Sequence, residues 1–153
     1  MVAVIRIKGL VDVRHDFKQT LELMRLHRKN HLVLIPETQE MKGMVKKVQD
    51  FCTFGEIDEK TLASLLEKRG KLIGDRKISK EFLKEKKLSS FNDLSKKVMA
   101  NPKFLLDLAI KPVFRLNSPK KGFERKGMKA TFKEGGVMGN RGKEINQLIE
   151  RMM

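Results

Sequence analysis

Over the first 57 residues short strand-type apolar segments alternate twice with helical stripes of period about 3.6, and that alternation restricts the chain to a sheet flanked by helices. Residues 2–8 read as a strand, because β-branched residues dominate and Ile5 and Ile7 alternate with Arg6 and Lys8. Gly9 ends it. Over residues 14–26, Phe17, Leu21 and Met24 recur at helical spacing, Leu23 and Leu26 broaden the stripe, and Asn30 is the expected stop. Residues 31–35 form a continuous apolar run cut by Pro36, the pattern of a strand covered on both faces. Thr38 is a natural N-cap for a helix with Met41, Met44, Val45 and Val48 on one side and Lys42, Lys46 and Lys47 on the others. Residues 51–57 make the third strand. The chain therefore spells β-α-β-α-β, an α+β core with a three-stranded, antiparallel-type sheet. Each helical segment, of roughly 11 to 13 residues, is long enough to recross such a sheet.

Asp58 is expected to cap a further helix carrying Leu62, Leu65 and Leu66, with Gly70 at its C-terminus. Composition then turns rich in Lys and Ser. Ser79, the Ser90-Phe91-Asn92-Asp93 segment and Pro102 divide residues 71–110 into short helices, whose apolar residues Ile78, Phe82, Leu83, Leu94, Val98, Phe104, Leu105 and Leu108 define a small helical insertion. Residues 113–116 are predicted to be a strand, and 130–133 its return after a turn-punctuated basic stretch. A last helix starts near Lys143 with Ile145, Leu148, Ile149 and Met152 on one face. The expected organisation is a core at 1–70 able to bury its own stripes, an insertion at 71–110, and a basic β/loop extension with a C-terminal helix at 111–153.

Positive charge follows the same divisions. The net charge is +15, yet residues 1–70 hold 13 Lys/Arg against 10 Asp/Glu, while residues 111–143 hold 10 against 2 and residues 71–99 hold 9 against 4. A field concentrated in this way is matched to a polyphosphate partner, which rewards it through counterion release. With no Trp or Tyr and 6% aromatic residues, stacking on single-stranded bases has little to build on, and recognition of folded RNA through its backbone fits better. The single Cys52 forms no internal disulfide and suits a reducing, cytoplasmic setting. No apolar run approaches the roughly 20 residues of a membrane helix.

Several residues carry a more specific resemblance. Thr20-Leu21, Leu26, Arg28, His31 and Val33, followed after ten residues by Met44-Val45 and then Val48 and Phe51, are spaced as in the large-subunit ribosomal protein family L-thirty, whose eukaryotic members are called L-seven. Pro36-Glu37-Thr38, Lys42-Gly43-Met44-Val45, Lys111-Pro112-Val113-Phe114-Arg115-Leu116 and Phe132-Lys133-Glu134-Gly135-Gly136 resemble its archaeal branch. Met24 and Cys52 depart from the commoner residues there but stay apolar. The resemblance spans essentially the whole chain and implies a ferredoxin-like α+β core, a helical insertion, a C-terminal extension, and a structural place on 23S-type ribosomal RNA beside neighbouring large-subunit proteins.

The candidate RNA contacts are Arg14, Lys18, Arg28 and Lys29 around the first helix; Arg115, Lys120, Lys121, Arg125, Lys126, Lys129 and Lys133 in the extension; and Arg141 and Lys143 near the last helix. Other chemistries fit less well. In the stretch 135–143, the spacing back from Gly142-Lys143 puts Val137 where a phosphate loop needs its first Gly and Glu144 where it needs Ser or Thr. His27 and His31 are four apart but separated by a strand start, so no zinc pair is expected. Glu37 and Glu40 suit a helix N-terminus better than a two-metal site. No catalytic residue, cofactor, small-molecule substrate, membrane association or obligate homo-oligomer is expected. The rival readings are an RNA chaperone and an RNA-processing enzyme.

Overall fold

The computed structural model describes every residue of the chain except Lys87 and Ser89. Its five strands are β1 (Val2–Arg6), β2 (His31–Ile35), β3 (Cys52–Glu56), β4 (Val113–Arg115) and β5 (Gly139–Asn140), in the spatial order β4-β2-β1-β3-β5. The three predicted strands form the centre, with β1 antiparallel to both β2 and β3. The α+β class holds, and the sheet is wider than three strands. On one edge β4 pairs antiparallel with β2, and on the other β5 pairs parallel with β3. The partner of β4 is therefore β2 and not residues 130–133. Those residues run into a 3-10 turn, Phe132–Glu134, that follows another at Gly127–Lys129. Gly127 and Gly135, at φ 63° and 87°, tighten this segment into turns that an extended return strand would not accommodate.

Strand alternation sorts the core into two layers. Val4, Val33 and Ile35 point to the face covered by α1 (His15–Leu23) and α2 (Gln39–Lys47), packing with Leu21, Met24, Leu26, Val45 and Val48. Ala3, Ile5, Ile7, Leu32 and Leu34 point to the other face. There they meet α3 (Glu59–Arg69), α4 (Lys80–Glu85), α5 (Phe91–Ala100), α6 (Phe104–Asp107) and α7 (Ile145–Met152) through Leu62, Leu83, Leu94, Leu105 and Ile149, among others. This second layer draws on residues from 3 to 152, across all three predicted stretches. The continuous run of β2 is buried at every position, as a strand covered on both faces should be.

Local side-chain caps fix the starts of α2, α4 and α5. Thr38 Oγ1 accepts from the Met41 N–H at 3.4 Å, Ser79 Oγ from Phe82 at 3.2 Å, and Ser90 Oγ from Asp93 at 3.2 Å. Asp58 occupies the predicted cap position without a side-chain cap bond. Its own N–H donates to Asn146 Oδ1 at 2.9 Å, fastening α3 to α7. Helix α1 stops before Asn30. Arg25 at φ 60° turns the chain left-handed, the Leu26 N–H donates to the Leu21 carbonyl at 2.8 Å, and Asn30 instead steers the chain into β2 by donating its N–H to the Arg6 carbonyl at 2.7 Å. At Gly55 a Cβ would lie 2.0 Å from the Gly142 carbonyl, so the absence of a side chain lets the backbone before α7 press onto β3.

Candidate nucleic-acid interface

The strand directions divide the sheet into two chemically different ends. At one end lie the C-terminus of β1, the N-termini of β2 and β3 and the C-terminus of β4, as the pairings Arg6 with Cys52 and His31 with Arg115 show. The parallel pair Thr53–Gly139 places the start of β5 there too. The connection 7–14 leaves from this end, the connection 24–30 arrives at it, and residues 116–138 both leave and return to it. Arg14, Arg28, Lys29, Arg115, Lys120, Lys121, Arg125, Lys126, Lys129 and Lys133 are therefore carried on segments that share one end, and all are exposed. Lys18 is half-buried on α1. The opposite end is mixed in charge: Glu37, Glu56, Asp58 and Glu59 lie at or just past the ends of β2 and β3 among Lys42, Lys46 and Lys60, and the N-terminal amino group binds Glu37 Oε1 at 2.9 Å.

Two predicted contacts do not join the basic end. Lys143 is exposed beyond the C-terminus of β5, near the acidic residues. Arg141 is buried, and its guanidinium works inside the protein. Its Nη1 and Nη2 donate to Glu124 Oε1 and Oε2 at 2.5 and 2.9 Å, and Nε lies 3.4 Å from Thr53 Oγ1. The group also stacks on the Phe132 ring at 4.3 Å from the centroid. Its position one residue past β5 turns it under the loop, a consequence of a parallel edge pairing that no local pattern announces.

This clasp shapes residues 116–138 into a platform. Arg151, on the last turn of α7, donates to the carbonyls of Lys120 and Gly122 and lies 3.7 Å from Glu124. The Gly136 N–H donates to Thr131 at 2.8 Å, the Phe132 N–H to Met138 at 2.8 Å, and buried Val137 and Met138 plug the segment into the core. Glu134 accepts from the Thr131 N–H at 3.2 Å, which holds its carboxyl below the usual range. The side chains of Lys120, Lys121, Arg125, Lys126, Lys129 and Lys133 form no ion pair among the described residues, so their charge faces solvent on a braced backbone. Such an array suits phosphate contacts.

Around β2 the sequence reading missed residues that matter. Arg6 is buried, donating from Nε to the Lys8 carbonyl at 3.0 Å and from Nη1 to Leu26 at 2.9 Å. His31 is buried and its Nδ1 has no hydrogen-bond partner among the described residues. Burial, and then the positive fields of Arg115, His27, Arg28 and Arg6, push the His31 imidazole below its ordinary pKa. The strand start between His27 and His31, which argues against a zinc pair in the sequence, is also what sets His31 opposite Arg115. Burial pushes the Cys52 thiol up to about 12, so it stays neutral beside Arg6. The described residues contain no His/Cys/Asp/Glu group arranged for a metal ion, and no described helix is long and apolar enough to cross a membrane.

Residues 2–52, from β1 to the start of β3, match the family model for ribosomal protein L30p/L7e. Similarity continues far past that point. The large ribosomal subunit protein uL30 of Nanoarchaeum equitans is 48% identical over 151 residues, covering 99% of this chain and 97% of that protein. The chain belongs to the uL30 family. The uL30 proteins of Methanococcus vannielii and Methanococcus maripaludis are 48% and 46% identical over 151 residues, each covering 99% of this chain and 98% of theirs. The helical insertion and the loop platform thus lie within the length aligned with uL30 relatives, beyond the reach of the shorter family model.

Proposed function

We propose that this chain is a structural constituent of the large ribosomal subunit in the cytoplasm, docking its basic end on folded 23S-type ribosomal RNA and its remaining surface against neighbouring subunit proteins. The observation that carries the reading is the gathering of ten exposed predicted contacts on segments at one end of the sheet, whereas the other end mixes carboxylates with lysines. A protein so polarised is oriented by the field of the RNA before it touches it, and contributes by neutralising and positioning phosphates without chemical turnover. Within it, residues 1–70, 71–110 and 111–153 act as parts of one cooperative unit: the first carries the sheet, the second thickens the layer behind it, and the third supplies the platform.

Protein–RNA crosslinking in purified large subunits tests this directly. Crosslinks should map to the connections 7–14 and 24–30 and to residues 115–133. Crosslinks confined to the opposite end around Glu37, Glu56 and Lys143 would overturn the orientation, and release of the protein from subunits by a moderate salt wash would overturn its role as an integral constituent.

A further inference from the structure

At the basic end, cross-strand pairing builds a row of cationic groups with no carboxylate in it. His31 of β2 stands opposite Arg115 of β4, Arg6 of β1 stands opposite Cys52, and the β1–β2 register that joins Ile5 to Leu32 continues with Arg6 beside His31. Directly opposed residues share a face at about 5 Å spacing, and like charges so placed repel. The charges that act on His31 are Arg115, His27, Arg28 and Arg6, all of one sign. Cys52, beyond Arg6, is neutral, and Asp75 acts on Arg115 while its own carboxylate is bound 2.8 Å from Lys111. Arg6 is buried and gives two of its five N–H groups to carbonyls, whereas Arg115 and Arg28 are exposed and His31 Nδ1 is a buried polar atom without a partner among the described residues.

We propose that this row is a receptor for one phosphate oxyanion, held by Arg28 and Arg115 with His31 as its floor and His27 at its rim, and that the oxyanion in the assembled state is a backbone phosphodiester of the bound RNA. The proposal rests on the RNA-binding reading of the basic end. An anion here supplies the missing countercharge to a set of like charges, and a turn of the imidazole about Cβ–Cγ gives Nδ1 its partner. Because the anion favours the protonated ring, occupancy raises the His31 pKa from its depressed value.

The test is NMR of the full chain, following the His31 imidazole signals, assigned with His31→Gln, during titration with inorganic phosphate and with chloride at matched ionic strength. Phosphate should shift His31 saturably and raise its titration midpoint, chloride should not, and Arg115→Gln, at an exposed site that leaves the fold intact, should abolish the response. In a second arm, Arg115→Gln should lower the slope of log affinity against log salt for a structured ribosomal RNA fragment by about one. A His31 response equal in chloride and phosphate, or retained in Arg115→Gln, overturns the receptor. A phosphate response with an unchanged RNA slope overturns the phosphodiester as its ligand. Salt-dependent RNA binding with a silent His31 removes this site alone, whereas no RNA binding at all removes the reading beneath it.

Discussion

Arg141 reaches back to Glu124, seventeen residues earlier, and grips both carboxylate oxygens from a side chain that is itself only 3% exposed. The pair ties the basic loop to the edge of the sheet, so the electrostatics that hold the loop in place are separate from those it offers to a partner.

Glu124→Gln should therefore cost about 2 to 3 kcal/mol in chemical denaturation, toward the low end for a broken buried pair because Glu124 keeps some water contact. The bond to Arg141 holds the Glu124 carboxyl below its ordinary value near 4.5. Its contribution is present above that value and is lost as pH falls below 4.5 through the folded one. The gap in thermal midpoint between parent and variant should be full at pH 7 and shrink toward pH 3. A gap independent of pH would assign the loss to packing.

Replacing Lys120, Lys121, Arg125 and Lys126 together by Ser should flatten the salt dependence of RNA binding by about four and weaken incorporation into the large subunit, with the thermal midpoint nearly unchanged. Arg151 holds this segment through the carbonyls of Lys120 and Gly122, which the substitutions leave in place. Gel-shift titrations across salt and a melting curve measure the two halves. A variant that binds like the parent would return these residues to a merely solubilising role.

Ala109 occupies a left-handed turn at φ 55°, where its N–H donates to Leu106 at 2.9 Å and the next N–H, of Ile110, to Leu105 at 2.8 Å. This is a helix-terminating arrangement that favours glycine. Ala109→Gly should raise stability by about 1 kcal/mol, the order of the steric penalty relieved, as read from the denaturation midpoint. Loss of stability would mean that the unfolded-state entropy of glycine outweighs it.

Acid should weaken the free protein in a second window. Since burial and neighbouring cations depress the His31 pKa, the folded state resists protonation there, and stability present above about 6.5 declines as pH falls below it toward the depressed folded value. His31→Gln should remove this decline from melting curves collected between pH 7 and 5. An identical decline in the variant would assign it to other groups.

Residues 1–70 alone are expected to lose cooperative folding, because Ala3, Ile5, Leu32 and Leu34 rely on Leu94, Val98, Phe114 and Ile149 to cover them. Circular dichroism and a melting curve of the fragment check this. A native-like sigmoidal melt would show that α3 suffices as cover.

The sequence made the central elements legible because their signals are local: the β-branched run of β1, the Thr38 and Ser90 caps, the apolar face of α7. The same holds for the overall basic character, and for the exposed cations of the loop. What stayed hidden depends on distant pairing. Nothing near Phe114 says that its strand joins β2, and nothing near Arg141 says that β5 will run parallel to β3 and turn a surface-type residue inward. Asn30 sent the helix end too far for a related reason. Its left-handed conformation serves the entry to β2, while Arg25, a residue with no turn preference of its own, stops α1.

The Thr53 hydroxyl meets the Gly139 carbonyl across 86 positions of sequence. An edge joined over that distance closes a large loop, so its formation is slow relative to the local helices. During synthesis the β3 margin therefore stays open until the ribosome has extended the chain beyond residue 140, leaving a bare strand that invites pairing with other chains in the meantime. Like charges along the lysine-rich sequence between those two partners repel between copies, so the charge proposed to contact RNA also opposes association of chains at this edge before it closes.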